Sequence, residues 1–247
     1  MNGAERLVRT LLDEGVDVCF ANPGTSEMHF VAALDRVPGM RCVLGLFEGV
    51  VTGAADGYWR MARRPASTLL HLGPGLANGV ANLHNAKKAR SGVLNVVGEH
   101  ARAHVALDAP LTADIEGIAR PVSHWVHTIT AAVGVEAATR GAVQAATTPP
   151  GRIATLVLPA DCAWTELPDS APSGERVARL APGAIDPAAV EAAAALLRSG
   201  EPTALLLGAD ACHEAGLAWA GRIAAAAGCA VLTEFAIARL ARGAGRV

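Results

Sequence analysis

Charge is scarce in this chain. Asp, Glu, Lys and Arg make up 18% of its 247 residues, and the formal net charge is −2. The basic residues are scattered, with Lys87, Lys88 and Arg90 as the tightest group. This excludes the basic stripe that neutralises phosphates, and with it nucleic acid as a partner. Low charge beside 51% hydrophobic residues also excludes disorder, which needs the opposite balance. The 26 glycines and 14 prolines stay below the low-complexity range. No apolar run suits a membrane: the longest, Ile223 to Thr233, is about half the roughly 20 residues that a spanning helix needs. The segment from Met1 to Gly15 lacks the unbroken apolar core of a signal peptide and reads as an amphipathic helix. The five cysteines (Cys19, Cys42, Cys162, Cys212 and Cys229) are odd in number and form no Cys-x-x-Cys pair. Buried free thiols in a reducing cytoplasm are the expectation.

What is present is an alternation of short apolar runs with helix-length segments. Strands are predicted at 16–21, 41–46, 66–71, 93–97 and 153–158. Helices are predicted at 5–14, 28–34, 48–64, 76–90 and 133–146. Such alternation implies right-handed crossovers and a doubly wound parallel sheet of about six strands, with helices on both faces. At roughly 150 residues per domain, the chain holds one domain and part of another. Residues 1–165 form the first, and the Pro-, Ser- and Gly-rich residues 166–186 read as a linker. Residues 187–247 offer two helices and two strands, too few for a complete α/β domain. No internal repeat is evident.

In open α/β sheets, ligands sit beyond the carboxyl ends of the strands. Those ends are Asn22-Pro23-Gly24-Thr25-Ser26-Glu27, Leu46-Phe47-Glu48-Gly49, His71-Leu72-Gly73-Pro74-Gly75 with Asn78, and Gly98-Glu99-His100. Glu48 is the most informative residue, because its neighbours are almost wholly apolar. Desolvation there favours the neutral, proton-carrying form, which suits a proton donor. The plain alternative is an acid in a helix's first turn, favoured by the macrodipole. Gly73-Pro74-Gly75 fits either an anion site at a helix N-terminus or a tight turn that lets a backbone come close. It is neither Gly-x-Gly-x-x-Gly nor a P-loop. His71 either faces the same crevice or is a structural histidine. His100 with His104, and His124 with His127, lack a Cys or carboxylate at zinc-ligand spacing, so no metal site is expected in this chain. No Gly-x-Ser-x-Gly elbow is present.

Together, Asn22 to Glu27, Leu46 to Tyr58 (LFEGVVTGAADGY) and Gly73-Pro74-Gly75 with Asn78 resemble the thiamine-diphosphate-dependent enzymes. The relevant group is that of acetolactate synthase, benzoylformate decarboxylase and pyruvate decarboxylase. The resemblance covers residues 1 to about 165 as the family's pyrimidine-binding domain and 187–247 as the first half of its central domain. It implies thiamine diphosphate as cofactor and a 2-oxo acid as substrate, with decarboxylation or carboligation as the reaction. Glu48 matches the glutamate that exchanges a proton with N1′ of the aminopyrimidine. Pro23, Gly24, Gly73, Gly75 and Asn78 match cofactor-binding positions. His71 and Thr25 match substrate-contacting positions of benzoylformate decarboxylase, with His71 catalytic, whereas Gly73-Pro74-Gly75 is closer to acetolactate synthase. The family binds diphosphate and Mg2+ through Gly-Asp-Gly and a later Asn. This chain has no Gly-Asp-Gly, so the resemblance places both on a domain outside it and turns Gly73-Pro74-Gly75 away from phosphate binding. Acetolactate synthases also use FAD, for which too little of the central domain is present to read a site. Two expectations follow: a half-site completed by a homo-oligomer partner or by a chain with the diphosphate-binding domain, or a non-catalytic subunit or remnant docked on a full-length relative.

Overall fold

The computed structural model describes residues 1–168, 183–235, 237, 239 and 240. The chain divides into two compact units, with the boundary between residues 168 and 183. The expected linker therefore lies largely outside the described residues.

The first unit runs α1 (Gly3–Asp13), β1 (Val18–Asn22), a 3-10 turn (Thr25–Glu27), α2 (Met28–Arg36), β2 (Arg41–Leu44), α3 (Glu48–Ala62) and β3 (Ala66–Leu70). It continues with α4 (Leu72–Lys88), β4 (Val93–Glu99), the short α5 (Arg102–Val105) and α6 (Ile115–Ala119), β5 (Trp125–Thr128), α7 (Val135–Thr147), β6 (Ile153–Pro159) and α8 (Ala160–Trp164). The Asn2 side chain caps α1 and Glu5 reaches back to the Asn2 N–H, a capping box. The six strands are all parallel, in the order β2-β1-β3-β4-β6-β5. Period-two alternation sends Cys19, Ala21, Leu69, Leu94, Val96 and Leu156 into one core with α1, α2 and α7. Val18, Leu70, Val93, Val97, Ile153 and Val157 enter the other, with α3, α4 and α6. The doubly wound sheet with both faces covered is thus present.

Two differences from the expectation have physical causes. β5 is a sixth strand that the apolar pattern does not announce. It is a four-residue edge strand (WVHT) with an exposed position and three half-buried ones, so it needs no apolar run. Cys42 is exposed rather than buried, because β2 is the opposite edge. Cys19, Cys162 and Cys212 are buried as expected.

A polar row crosses the buried middle of the sheet. Thr68 Oγ1 donates to Asn95 Oδ1 (2.8 Å), Asn95 Nδ2 donates to Thr155 Oγ1 (3.0 Å), and Thr155 shares a hydrogen bond with Ser123 Oγ (2.8 Å). Thr68, Asn95 and Thr155 are fully buried. They are register partners between the apolar rows Ala66-Val93-Ile153 and Leu70-Val97-Val157. Slippage of one strand would bury these groups unpaired, so the row enforces register.

The second unit contains α9 (Pro187–Leu197), β7 (Ala204–Leu207), α10 (Glu214–Ala227) and β8 (Ala230–Thr233), with β7 and β8 parallel. α9 buries no residue although its sequence is PAAVEAAAALL.

Asn95→Ala should remove two hydrogen bonds and leave the buried Thr68 hydroxyl unmatched, costing about 2–4 kcal/mol. Urea unfolding would show a lowered midpoint; an unchanged midpoint would mean that the row does not pin the sheet.

Candidate functional site

The strand order reverses at β1. From β1 the chain crosses to β2 on one side, then returns to β3 on the other. A crevice opens where consecutive connections leave in opposite directions, beyond the carboxyl ends of β1 and β3. Those ends are Asn22-Pro23-Gly24 and Leu70-His71-Leu72. The turn into α4 is sharp. Leu72 holds a φ of 49°, a left-handed conformation costly for a branched side chain, and is kept there by full burial. Gly73-Pro74-Gly75 is accordingly the first turn of α4 rather than a loop before a helix starting at Leu76.

Five of the expected residues, Gly24, Glu48, His71, Gly75 and Asn78, come together. A Cβ on Gly24 would lie 2.3–2.5 Å from the His71 ring, so only glycine lets that ring lie on the β1 loop. A Cβ on Gly75 would lie 2.9 Å from Glu48 Oε1 and 3.3 Å from the His71 Cβ. Gly24, His71, Gly75 and Glu48 thus form one continuous wall. Glu48 is the first residue of α3 and is 8% exposed. Its Oε2 accepts from Asn78 Nδ2 at 3.0 Å, which leaves Oε1 against the Gly75 backbone. Pro23 is half-buried beside Gly24, and Thr25 is exposed at the start of the 3-10 turn. Gly73 sits apart: it is buried against Ala113, which a Cβ would meet at 2.5 Å.

Close packing of α4 on α3 fixes Glu48. Gly75, Asn78, Gly79 and Asn82 share one face of α4 at i, i+3, i+4 and i+7 spacing. A Cβ on Gly79 would meet Thr52 at 2.8 Å. Thr52 Oγ1 donates to the Glu48 carbonyl (3.0 Å) and the Gly79 carbonyl (3.3 Å), and Asn82 Nδ2 donates to the Gly49 carbonyl (2.6 Å). Asn22 Nδ2 donates to the Gly45 carbonyl (2.7 Å), tying the β1 end to the loop before Glu48.

Glu27 is the residue that strand-end reading passes over. It is 3% exposed, and its Oε2 accepts from the Gly24 N–H (2.8 Å) and lies 2.7 Å from His71 Nδ1. A carboxylate only accepts, so Nδ1 carries a proton and Nε2 is the ring atom left for a ligand. Glu27 Oε1 has no hydrogen-bond partner and presses on Gly98 at the end of β4, where a Cβ would lie 1.7 Å away. The Ser-Glu pair after Asn-Pro-Gly-Thr was the available signal. Beside Gly98, burial pushes the Glu99 carboxyl up, against a hydrogen bond from the His100 N–H (2.7 Å) that lowers it. His100 Nε2 and His124 Nδ1 each accept a backbone N–H, from Leu111 and Ile153, and so serve the fold. Among the described residues, no three His, Cys, Asp or Glu side chains could hold a metal ion. No helix among them is long and apolar enough to cross a membrane.

Residues 1–119 match the family model of the "Thiamine pyrophosphate enzyme, N-terminal TPP binding domain". All eight expected site residues fall within that span. This region belongs to the thiamine-diphosphate-dependent enzyme family. It is 54% identical over 245 residues to the "Putative acetolactate synthase large subunit IlvX" of Mycobacterium tuberculosis, covering 99% of this chain and 46% of that protein. It is 34% identical over 188 residues to the benzoylformate decarboxylase of Pseudomonas aeruginosa, covering 76% of this chain and 34% of that protein. The crystal structure of benzoylformate decarboxylase from Polynucleobacter necessarius superposes with a TM-score of 0.76 at 25% identity, over 90% of this chain and 42% of that one. The chain thus spans less than half the length of the family members it matches here.

Gly98→Ala should evict the Glu27 carboxylate and destabilise the unit by about 1–3 kcal/mol through overpacking. Gly57→Ala, whose Cβ meets open space in α3, should instead stabilise it by about 0.5–1 kcal/mol. Equal unfolding midpoints for the two variants would contradict this packing.

Glu99 is a raised carboxyl, so its favourable contribution is full at low pH and lost as the pH climbs through its folded value. Glu99→Gln should therefore raise the melting temperature at pH 7, by about one to a few degrees, and barely change it near pH 4. A gain only at pH 4 would reverse the assigned sign.

Proposed function

We propose that residues 1–165 hold the aminopyrimidine end of thiamine diphosphate, within an enzyme of acetolactate synthase or benzoylformate decarboxylase type that acts on a 2-oxo acid. The carrying observation is the Glu48 carboxylate, buried at the start of α3 with one oxygen held by Asn78 and the other facing a backbone without a side chain. A flat heterocycle with a ring nitrogen suits that donor set, and the absent Cβ atoms of Gly24 and Gly75 leave room for it. When bound, the cofactor supplies an electron sink for decarboxylation.

The chain's own residues divide the remaining work. Glu48 Oε1, free of the Asn78 amide, would hold the proton that a ring nitrogen seated there gives or takes, and burial would strengthen that interaction. Asn78 prevents the carboxylate from swinging out. His71 would present Nε2 to the substrate's carboxylate, with Glu27 setting its tautomer. Thr25 stands at the exposed rim, where a substrate would enter. Pro23 and Gly24 shape the floor, and Gly73 acts at a distance by seating the first turn of α4.

Diphosphate and Mg2+ are assigned to a domain supplied by another region or subunit. Around Glu48, Leu44 (67% exposed), Leu46 (90%), Phe47 and Val50 form an apolar rim that a second chain would cover. The bare α9 likewise suits a central domain covered by further structure, and residues 187–247 are assigned to that domain. The free thiols fit a reducing cytoplasm. Decarboxylation and carboligation both suit this site.

In the protein complemented with its diphosphate-binding domain, Glu48→Gln should lower turnover of pyruvate or benzoylformate by at least about 10²-fold, the scale of a lost proton-transfer group. A fully active Gln variant would overturn the assignment, and a complemented wild type that binds cofactor without turnover would favour the non-catalytic companion. The isolated chain should bind thiamine diphosphate more weakly than roughly 0.1 mM by calorimetry, since pyrimidine contacts engage few atoms. Micromolar, Mg2+-dependent binding would relocate the diphosphate site into this chain.

A further inference from the structure

Cys19 and Cys42 are register partners on the neighbouring strands β1 and β2. Adjacent strands run about 4.8 Å apart, and a disulfide tolerates Cα separations of about 4.4–6.8 Å. Register partners on parallel strands send their side chains to the same face of the sheet, so the two thiols stand beside each other. Cys19 is fully buried against Ala21 and Leu69, while Cys42 is exposed because β2 is the sheet's edge. Both are free thiols. One accessible sulfur thus stands over one protected sulfur within bonding reach.

We propose that Cys42 and Cys19 form a peroxide-reactive thiol pair, with Cys42 as the attacking thiol and Cys19 as the thiol that resolves it into a disulfide. The hydrogen bond from Cys19 lowers the Cys42 thiol to about 7, against the opposing effect of burial. The same hydrogen bond, with full desolvation, pushes Cys19 well up. Exposure makes Cys42 the sulfur that a peroxide reaches first and burial makes Cys19 the one that follows, and the directions of the two shifts agree with that division. Cys162 and Cys212 are pushed up by burial and have no such partner among the described residues.

The chemistry balances with a hydroperoxide as oxidant. The Cys42 thiolate attacks one peroxide oxygen, the O–O bond breaks, and the departing oxide takes a proton to leave as water or an alcohol. Cys42 becomes a sulfenic acid. The Cys19 sulfur then attacks the Cys42 sulfur, the S–O bond breaks, and the released hydroxide takes the Cys19 proton as water. Two thiols lose two electrons in all, and the peroxide gains them. The product staples the edge strand to β1, the two strands that lead to Glu48 and to Pro23-Gly24. The pair sits near the start of β1, away from its carboxyl end, and stands whatever ligand the crevice takes.

The test uses the reduced full chain, dilute hydrogen peroxide and non-reducing peptide mapping. A cross-linked peptide containing Cys19 and Cys42 should form at least about tenfold faster than oxidation at Cys162, Cys212 or Cys229, and dithiothreitol should reverse it. In Cys19→Ser, Cys42 should accumulate as a dimedone-reactive sulfenic acid. In Cys42→Ser, an exposed change, Cys19 should stay reduced. Oxidation of wild-type Cys42 to the sulfonic acid without cross-linking, or oxidation no faster than at the other cysteines, would overturn the proposal.

Discussion

The contact of α4 with the start of α3 is the constraint on which the site depends. Glycines at 75 and 79 bring the α4 backbone against Glu48 and Thr52, and the amides of Asn78 and Asn82 fasten the two helices. A carboxylate at a helix's first turn would ordinarily turn outward to water. Here Asn78 pins one oxygen, and the missing Gly75 Cβ makes space for the other. A larger residue at Gly75 would strike Glu48 and His71 together, so the face of α4 sets both groups of the crevice.

Topology supplies the place and local chemistry the contents. The reversal of strand order at β1 opens a gap between the ends of β1 and β3. Into it project His71, forced out by the left-handed Leu72, and the Gly24 loop, bare enough for the imidazole to lie on. Glu27 links the two by accepting from both Gly24 and His71, so loop and ring are fixed by one carboxylate. Leu44, Leu46 and Phe47, just before Glu48, leave exposed apolar surface beside this polar group.

Much of this was legible in the order of residues. The alternation of apolar runs announces the parallel sheet, and Glu48 stands out because nothing polar surrounds it in sequence. His71 and the glycines follow from asking what lies at strand ends. Other features were not legible, because they are set by distant pairings. Glu27 and His71 are 44 residues apart, and the Ser-Glu pair after Asn-Pro-Gly-Thr marks the carboxylate without naming its partner. Gly98 reads only as a strand-end residue until Glu27 is seen to need its space. Asn95 looks misplaced in an apolar strand until Thr68 and Thr155 arrive on either side. β5 is too short and too exposed to leave a pattern, and Gly73, grouped by motif with Gly75, serves a different neighbour.

The pyrimidine of thiamine is proposed to seat against the Glu48 wall. The most direct measurement is a 15N–1H NMR titration of the isolated chain with thiamine, observing backbone amides and the Asn78 side-chain amide. The account predicts saturable shifts confined to Gly24, Glu48, Gly75, Asn78 and their neighbours, with the Asn78 side-chain signal among the most displaced, and their loss in Glu48→Gln. Shifts that cluster elsewhere on the sheet, or that persist unchanged in Glu48→Gln, would contradict it.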